Sequence, residues 1–102
     1  MTVLEKEVEQ NLREMVKRNG GLCLKWVCPG WSGVPDRIIL LPEGKVIFCE
    51  LKRPAYGRLS KLQQWWGDKL RRLGFTVIYI YDHDQVDYLE FYIRDMKEER
   101  NA

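Results

Sequence analysis

Two apolar runs stand three residues apart in the middle of the chain, Arg37-Ile38-Ile39-Leu40-Leu41 and Lys45-Val46-Ile47-Phe48-Cys49-Glu50-Leu51-Lys52. The spacer is Pro42-Glu43-Gly44. Short apolar runs bounded by proline and glycine read as strands, and so tight a turn folds them back as an antiparallel hairpin. Asp36 opens the first arm, while Glu50 and Lys52 close the second. Pairing the arms therefore carries two carboxylates and an ammonium to one end of a sheet. Side chains alternate along a strand, which puts Glu50 and Lys52 on one face and Cys49 and Leu51 on the other.

The rest of the chain supplies partners for this hairpin. Thr2-Val3-Leu4-Glu5 has the pattern of a capping box, and Leu4, Val8, Leu12, Met15 and Val16 follow at helical spacing until Gly20-Gly21. Glu5 and Glu9 share one edge of that apolar stripe, either as solvent-facing glutamates or as carboxylates delivered to the rim of the core. Leu22 to Val27 alternates as a first strand, and Cys28 to Gly33 is a loop rich in proline and glycine. Val34-Pro35 keeps the approach to Asp36 extended. Beyond the hairpin, Arg53 to Arg58 is a basic loop. Ser60-Lys61-Leu62-Gln63 then opens a second helix carrying Leu62, Trp66, Leu70 and Leu73, stopped by Gly74. Thr76 to Tyr81 is a fourth strand, and Asp82-His83-Asp84 a polar turn with a helix cap.

Gln85 to Glu98 places Val86, Leu89, Ile93 and Met96 at helical spacing, although Tyr88 to Ile93 also fits a strand. As a helix its apolar face is wide, with Phe91 just outside it, as suits either a dimer contact or a greasy terminal helix. The predicted order is helix, three strands, helix, strand, helix. That is an α/β class with a mixed sheet, in a single domain spanning 1–102.

Composition narrows the function classes. An apolar fraction of 45% and a charged fraction of 31% describe a globular chain, with no run long enough to span a membrane. The first residues lack the basic-then-apolar layout of a secretory signal, so a cytoplasmic protein is expected, in the host cytoplasm if it is viral. Cys23, Cys28 and Cys49 are odd in number and lie in or beside apolar runs, which favours reduced thiols over disulfides or a zinc site. The net charge of +2 says little, but its distribution says more. Seven bases and one acid lie between Lys52 and Arg72, against seven acids and three bases between Asp82 and Arg100. The basic stretch would track phosphates beside the hairpin's acidic end.

Asp36 and Glu50 offer hard oxygen ligands with no partnering histidine, which suits Mg²⁺, with Mn²⁺ as a substitute. Such an ion polarises a phosphodiester and acidifies the attacking water, and Lys52 would sit beside both. The plainer alternative is an aspartate at a strand entrance and an exposed Glu-X-Lys pair at a strand exit. Asp after Pro, then a hairpin, then Glu-X-Lys, is the narrower pattern.

Val34-Pro35-Asp36 with Glu50-Leu51-Lys52 resembles the PD-(D/E)XK nuclease superfamily, with its αβββαβ restriction-endonuclease-like core. More closely the chain is similar to the small stand-alone VRR-NUC domains of phages and bacteria. Gly20 to Lys25, Gly33 to Arg37, Phe48 to Lys52, Leu59 to Gln63 and Leu73-Gly74-Phe75 carry the likeness. It covers about Glu5 to Tyr81.

The resemblance implies that Asp36, Glu50 and the Leu51 carbonyl hold the metal, and that Lys52 is the catalytic lysine. It implies that Gln63 stands near the active site, where it would otherwise be only the capping partner of Ser60. Glu9 is implied to support the metal, with Glu5 the alternative one turn earlier. Members of similar size are implied to work as homodimers that cut branched DNA, notably four-way Holliday junctions. Arg53, Arg58 and Lys61 would contact that DNA, and among Tyr56, Trp31 and Trp65 the best candidate for base stacking is Trp31. A general, flap or nicking nuclease of the same superfamily, and a non-catalytic nucleic-acid-binding domain, are the alternatives.

Overall fold

The computed structural model describes residues 3–52 and 58–101, with side chains described over 5–52 and 58–98. The Thr2 cap, the Leu4 side chain, and Arg53 and Tyr56 of the basic loop lie outside the described residues. Helix α1 (Val3–Arg18) is followed by strands β1 (Leu22–Lys25), β2 (Arg37–Leu41) and β3 (Lys45–Leu51). Helix α2 (Lys61–Arg72), strand β4 (Thr76–Ile80) and helix α3 (His83–Asn101) complete the chain. The predicted order holds throughout, and the segment that fitted either helix or strand is helical.

The sheet runs β1-β2-β3-β4, antiparallel across the first two pairs and parallel between β3 and β4. The parallel pair requires a crossover, and α2 provides it. Between β2 and β3 the turn over Pro42–Gly44 has Glu43 and Gly44 at positive φ, which reverses the chain in three residues. Register follows directly, with Leu41 opposite Lys45 and Arg37 opposite Cys49.

Alternation along the strands divides the interior in two. Ile39, Leu41, Ile47, Cys49 and Ile80 face α1 and α3, where Val8, Leu12, Met15, Val86, Leu89 and Ile93 complete the larger cluster. Phe48 and Val77 face the other way, against Leu70 of α2, with Trp26, Ile38 and Tyr79 around them. Two helices thus cover one face and one helix the other. Where α1 ends, the Gly21 N–H donates to Val16 O at 2.9 Å. A β-carbon on Gly21 would meet Leu40 O at 2.5 Å, so only glycine lets the chain pass this close to β2. Asp82 caps α3 by accepting from the Gln85 N–H at 3.1 Å, and His83 Nδ1 lies 2.8 Å from Asn11 Nδ2 on α1.

Candidate active site

The register of the β2–β3 hairpin sets Asp36, one step beyond the Arg37–Cys49 pair, opposite Glu50. Two reciprocal hydrogen bonds lock the acids there. The Asp36 N–H donates to Glu50 Oε2 at 3.0 Å, and the Leu51 N–H donates to Asp36 Oδ1 at 3.2 Å. Each carboxylate is thus gripped by the backbone of the strand that carries the other.

The Leu51 carbonyl joins them by peptide geometry. The Lys52 N–H donates to Ile80 O on β4 at 2.9 Å. A trans peptide points its C=O opposite to its N–H, and this chain has no cis bond among the described residues. The Leu51 carbonyl therefore faces away from β4, toward the Asp36 side of β3.

Gln63 closes the site from α2. Its Nε2 donates to Glu50 Oε1 at 3.0 Å, while its Oε1 accepts from Lys52 Nζ at 2.8 Å and from the Ser60 N–H at 2.9 Å. Its own N–H donates to Ser60 Oγ at 3.1 Å, completing the capping box. One side chain therefore both caps α2 and bonds Glu50 and Lys52. Reversing the amide would set oxygen against carboxylate and NH₂ against ammonium, so the network dictates its orientation. Lys52 Nζ also lies 4.0 Å from Glu50 Oε1.

The electrostatics of the pair are unfavourable by design of the hairpin. Burial, and then the charge of Asp36, push the Glu50 carboxyl up to about 7. Burial likewise raises Asp36, opposed by the Leu51 N–H and by Arg37. Two partly desolvated acids and a backbone carbonyl form an all-oxygen donor set whose excess negative charge a hard divalent cation would relieve. The residues present fit Mg²⁺ or Mn²⁺.

Arg37 is the residue that sequence reasoning missed. It is 6% exposed, and its Nη2 donates to Glu9 Oε2 on α1 at 2.9 Å while its Nη1 donates to Asp36 O at 2.9 Å. A buried guanidinium requires such partners. Its signal was available, since a cation at a core-facing position of an apolar strand needs an acid opposite. Glu9 is thus not brought onto the acidic pair but one side chain behind it. Among the described residues no three His, Cys, Asp or Glu side chains group as a metal-holding set. Glu5, the alternative, is half-buried one turn earlier.

The VRR-NUC domain family matches residues 2–83. The chain belongs to the VRR-NUC family. A solved structure described as a VRR_NUC domain superposes with a TM-score of 0.80 at 30% identity, covering 86% of this chain and 95% of that one. "Putative nuclease p44" of Acyrthosiphon pisum secondary endosymbiont phage 1 is 46% identical over 53 residues, 52% of this chain. The match spans 57% of that relative's length.

Around the acidic pair of this VRR-NUC domain, the loop before Asp36 is fastened to α2. The Trp66 indole N–H donates to Ser32 O at 3.0 Å, and Gly33, at φ +85°, leaves no room for a side chain against Leu62. Trp31, 62% exposed, stands edge-on to Trp66 at 5.7 Å, and Trp65, 49% exposed, packs on Trp66 from 5.0 Å. Arg58 and Lys61 are exposed at the approach to α2, while Arg53 lies outside the described residues. The thiols are free, with Cys49 buried and Cys23 and Cys28 half-buried. Burial raises Cys23 to about 11 and pushes Cys49 well above the usual thiol range, so both stay protonated and inert. Among the described residues no helix is long and apolar enough to cross a membrane.

Proposed function

We propose that the chain is a divalent-metal-dependent DNA endonuclease that hydrolyses phosphodiester bonds in branched DNA, four-way junctions foremost, as a homodimer. The observation that carries the nuclease reading is the Asp36–Glu50–Lys52–Gln63 network, two gripped carboxylates facing an ammonium held by one amide.

Asp36, Glu50 and the Leu51 carbonyl would hold Mg²⁺, with Mn²⁺ able to replace it. When bound, the ion supplies Lewis-acid polarisation of the phosphate and a more acidic water. Lys52 places its ammonium where negative charge develops on the phosphate, and Gln63 and Glu50 keep that ammonium from swinging into solvent. Arg37 fixes the Asp36 carbonyl, and Glu9 holds Arg37, so α1 acts on the site through a guanidinium. Trp31 offers a base-stacking surface, and Arg58 and Lys61, with Arg53 near them in sequence, offer charge to the backbone.

The junction and dimer rest on the likeness to small stand-alone VRR-NUC domains and on symmetry. Among the described residues one chain offers one such site, and resolving a two-fold junction requires two cuts. The broad exposed aromatic face of α3, with Tyr88 and Phe91, is consistent with a subunit contact. The test compares a four-way junction with linear duplex, flap and single strand, with Mg²⁺ and with chelator, alongside Asp36→Ala. Metal-dependent cutting of the junction above all other substrates, lost in the variant, is expected. Cutting in chelator, or by Asp36→Ala, would sink the mechanism, and equal cutting of all substrates would leave a general nuclease. Sedimentation should give twice the chain mass at micromolar concentration.

A further inference from the structure

On the far side of Arg37 from the acidic pair, α1 and β1 enclose a groove of about 760 Å³. Lys6, Gln10, Arg13 and Lys17 line one wall, and Gly21 to Leu24 line the other. The α1 positions are four, three and four residues apart, so they form one row along the helix. Three of the four are cationic. Among the described residues β1 pairs with β2 alone, which makes it an edge of the sheet.

Two acids, Glu9 and Glu14, also line the groove, the first bonded by a guanidinium and the second by a neutral amide. Glu14 accepts from Gln10 Nε2 at 3.0 Å, and Glu9 from Arg37 Nη2 at 2.9 Å. Among the described residues no carboxylate forms an ion pair within 4.0 Å of Lys6, Arg13 or Lys17. No aromatic side chain lines the groove among the described residues, so it offers charge without a stacking surface. At Glu9 the groove meets the candidate active site, because the guanidinium that grips Glu9 also donates to the Asp36 carbonyl.

Building on the nuclease reading, we propose that this groove is a second backbone track, holding the phosphates of the substrate on one side of the scissile bond through Lys6, Arg13 and Lys17. From Lys6 to Lys17 the helix rises roughly 16 Å, at 1.5 Å per residue. That length matches about five steps of 3.4 Å along a strand, enough for three cations to meet separate phosphates. Binding there is independent of base sequence, since only the backbone is touched. An extended peptide or a second copy adding a strand to β1 is the rival occupant, and the row of cations favours the polyanion.

The test is the triple variant Lys6→Gln/Arg13→Gln/Lys17→Gln, at exposed positions where glutamine is as good a helix former. Arg13→Gln alone serves if the triple variant melts early. Anisotropy with a fluorescein-labelled four-way junction and a labelled linear duplex, in chelator, reads affinity across a salt series. The expected result is a Kd raised ~10–100-fold near physiological salt and a salt slope reduced by about 2 to 3. In cleavage assays KM should rise with kcat within about threefold, and Lys6→Arg/Lys17→Arg should keep wild-type affinity, as charge rather than shape is read. Trimming the duplex arm by about five nucleotides should weaken binding on one side of the cut only. Unchanged Kd and slope in a triple variant that cuts normally would overturn the groove alone. A changed sedimentation mass with unchanged Kd would assign the groove to a second copy and overturn it too. A wild-type protein that neither binds nor cuts nucleic acid would remove the nuclease reading as well.

Discussion

Two glutamates, Glu50 and Glu90, sit in dense hydrogen-bond networks at different places in this fold, and their carboxyl groups are displaced in opposite directions. Glu90 on α3 receives the Arg18 guanidinium through two bonds of 2.9 Å, the Asn19 amide at 2.7 Å and Arg94 at 3.2 Å. Chiefly the bond from Arg18 holds it down at about 2. Glu50 is instead buried beside another acid and rises to about 7. The first arrangement meets charge with opposite charge and ties the end of α1 to α3. The second gathers like charge and leaves the offset to a partner from outside. A carboxylate that is already neutralised serves the fold, while one held in a strained charge state is where chemistry is to be sought.

The contrast is broken most severely at the acidic pair. Asp36→Ala should lower kcat by ~10³-fold or more while the protein stays folded, read by single-turnover cleavage and circular dichroism. Gln63→Ala should cost ~10–100-fold, since the ammonium of Lys52 loses its anchor, and the loss should fall on kcat rather than KM.

Glu50→Gln should abolish cutting yet stabilise the metal-free protein at pH 8, by about 1–2 kcal/mol after the loss of one good hydrogen bond. The sign follows from the direction of the shift. A carboxyl raised from 4.5 to about 7 binds its proton more tightly when folded, so its contribution to stability is whole below 4.5 and is lost as the pH rises through 7. Melting of wild type and variant in EDTA should therefore agree near pH 4 and diverge above neutrality, with added Mg²⁺ restoring the wild type.

Glu90→Gln is the smallest effect, about 1 kcal/mol of stability with cleavage unchanged, because the network opens to solvent and is screened. Its pH window is the reverse. A carboxyl lowered from 4.5 to about 2 contributes fully above 4.5 and loses that contribution as the pH falls toward 2. Coincident melting curves for Glu90→Gln and wild type at pH 7 would show that the network contributes nothing.

The acidic pair was legible in the residues because everything that makes it is local. The Pro42-Glu43-Gly44 turn and two strand runs dictate that Asp36 faces Glu50, and alternation dictates that Lys52 joins Glu50 rather than Leu51. Gln63 was legible as a capping residue from its spacing to Ser60. Its grip on Lys52 and Glu50 was not, because it depends on how α2 lies across the end of β3. The partner of Glu9 was not legible for the same kind of reason. Its edge of α1 does face the site end of the sheet, but Arg37 occupies the space between, and nothing in a helical periodicity reports what stands opposite. Strand boundaries differ by a residue or two at Val27, Lys52 and Tyr81, although the Lys52 N–H still donates to Ile80 O and the Trp26 N–H to Asp36 O.

The Glu90 network had no counterpart in the sequence reading. Arg18 and Asn19 stand more than seventy residues from Glu90, and charged residues near a helix end look the same whether they meet solvent or each other. By itself the sequence determined the order of elements, the hairpin and the acidic pair, since each follows from short-range sterics and the two- and 3.6-residue periods. Tertiary structure alone decided which acids are neutralised and which are left in want of a cation. Pairing across the fold depends on where three helices settle against one sheet, and that is set by packing, which no local pattern records.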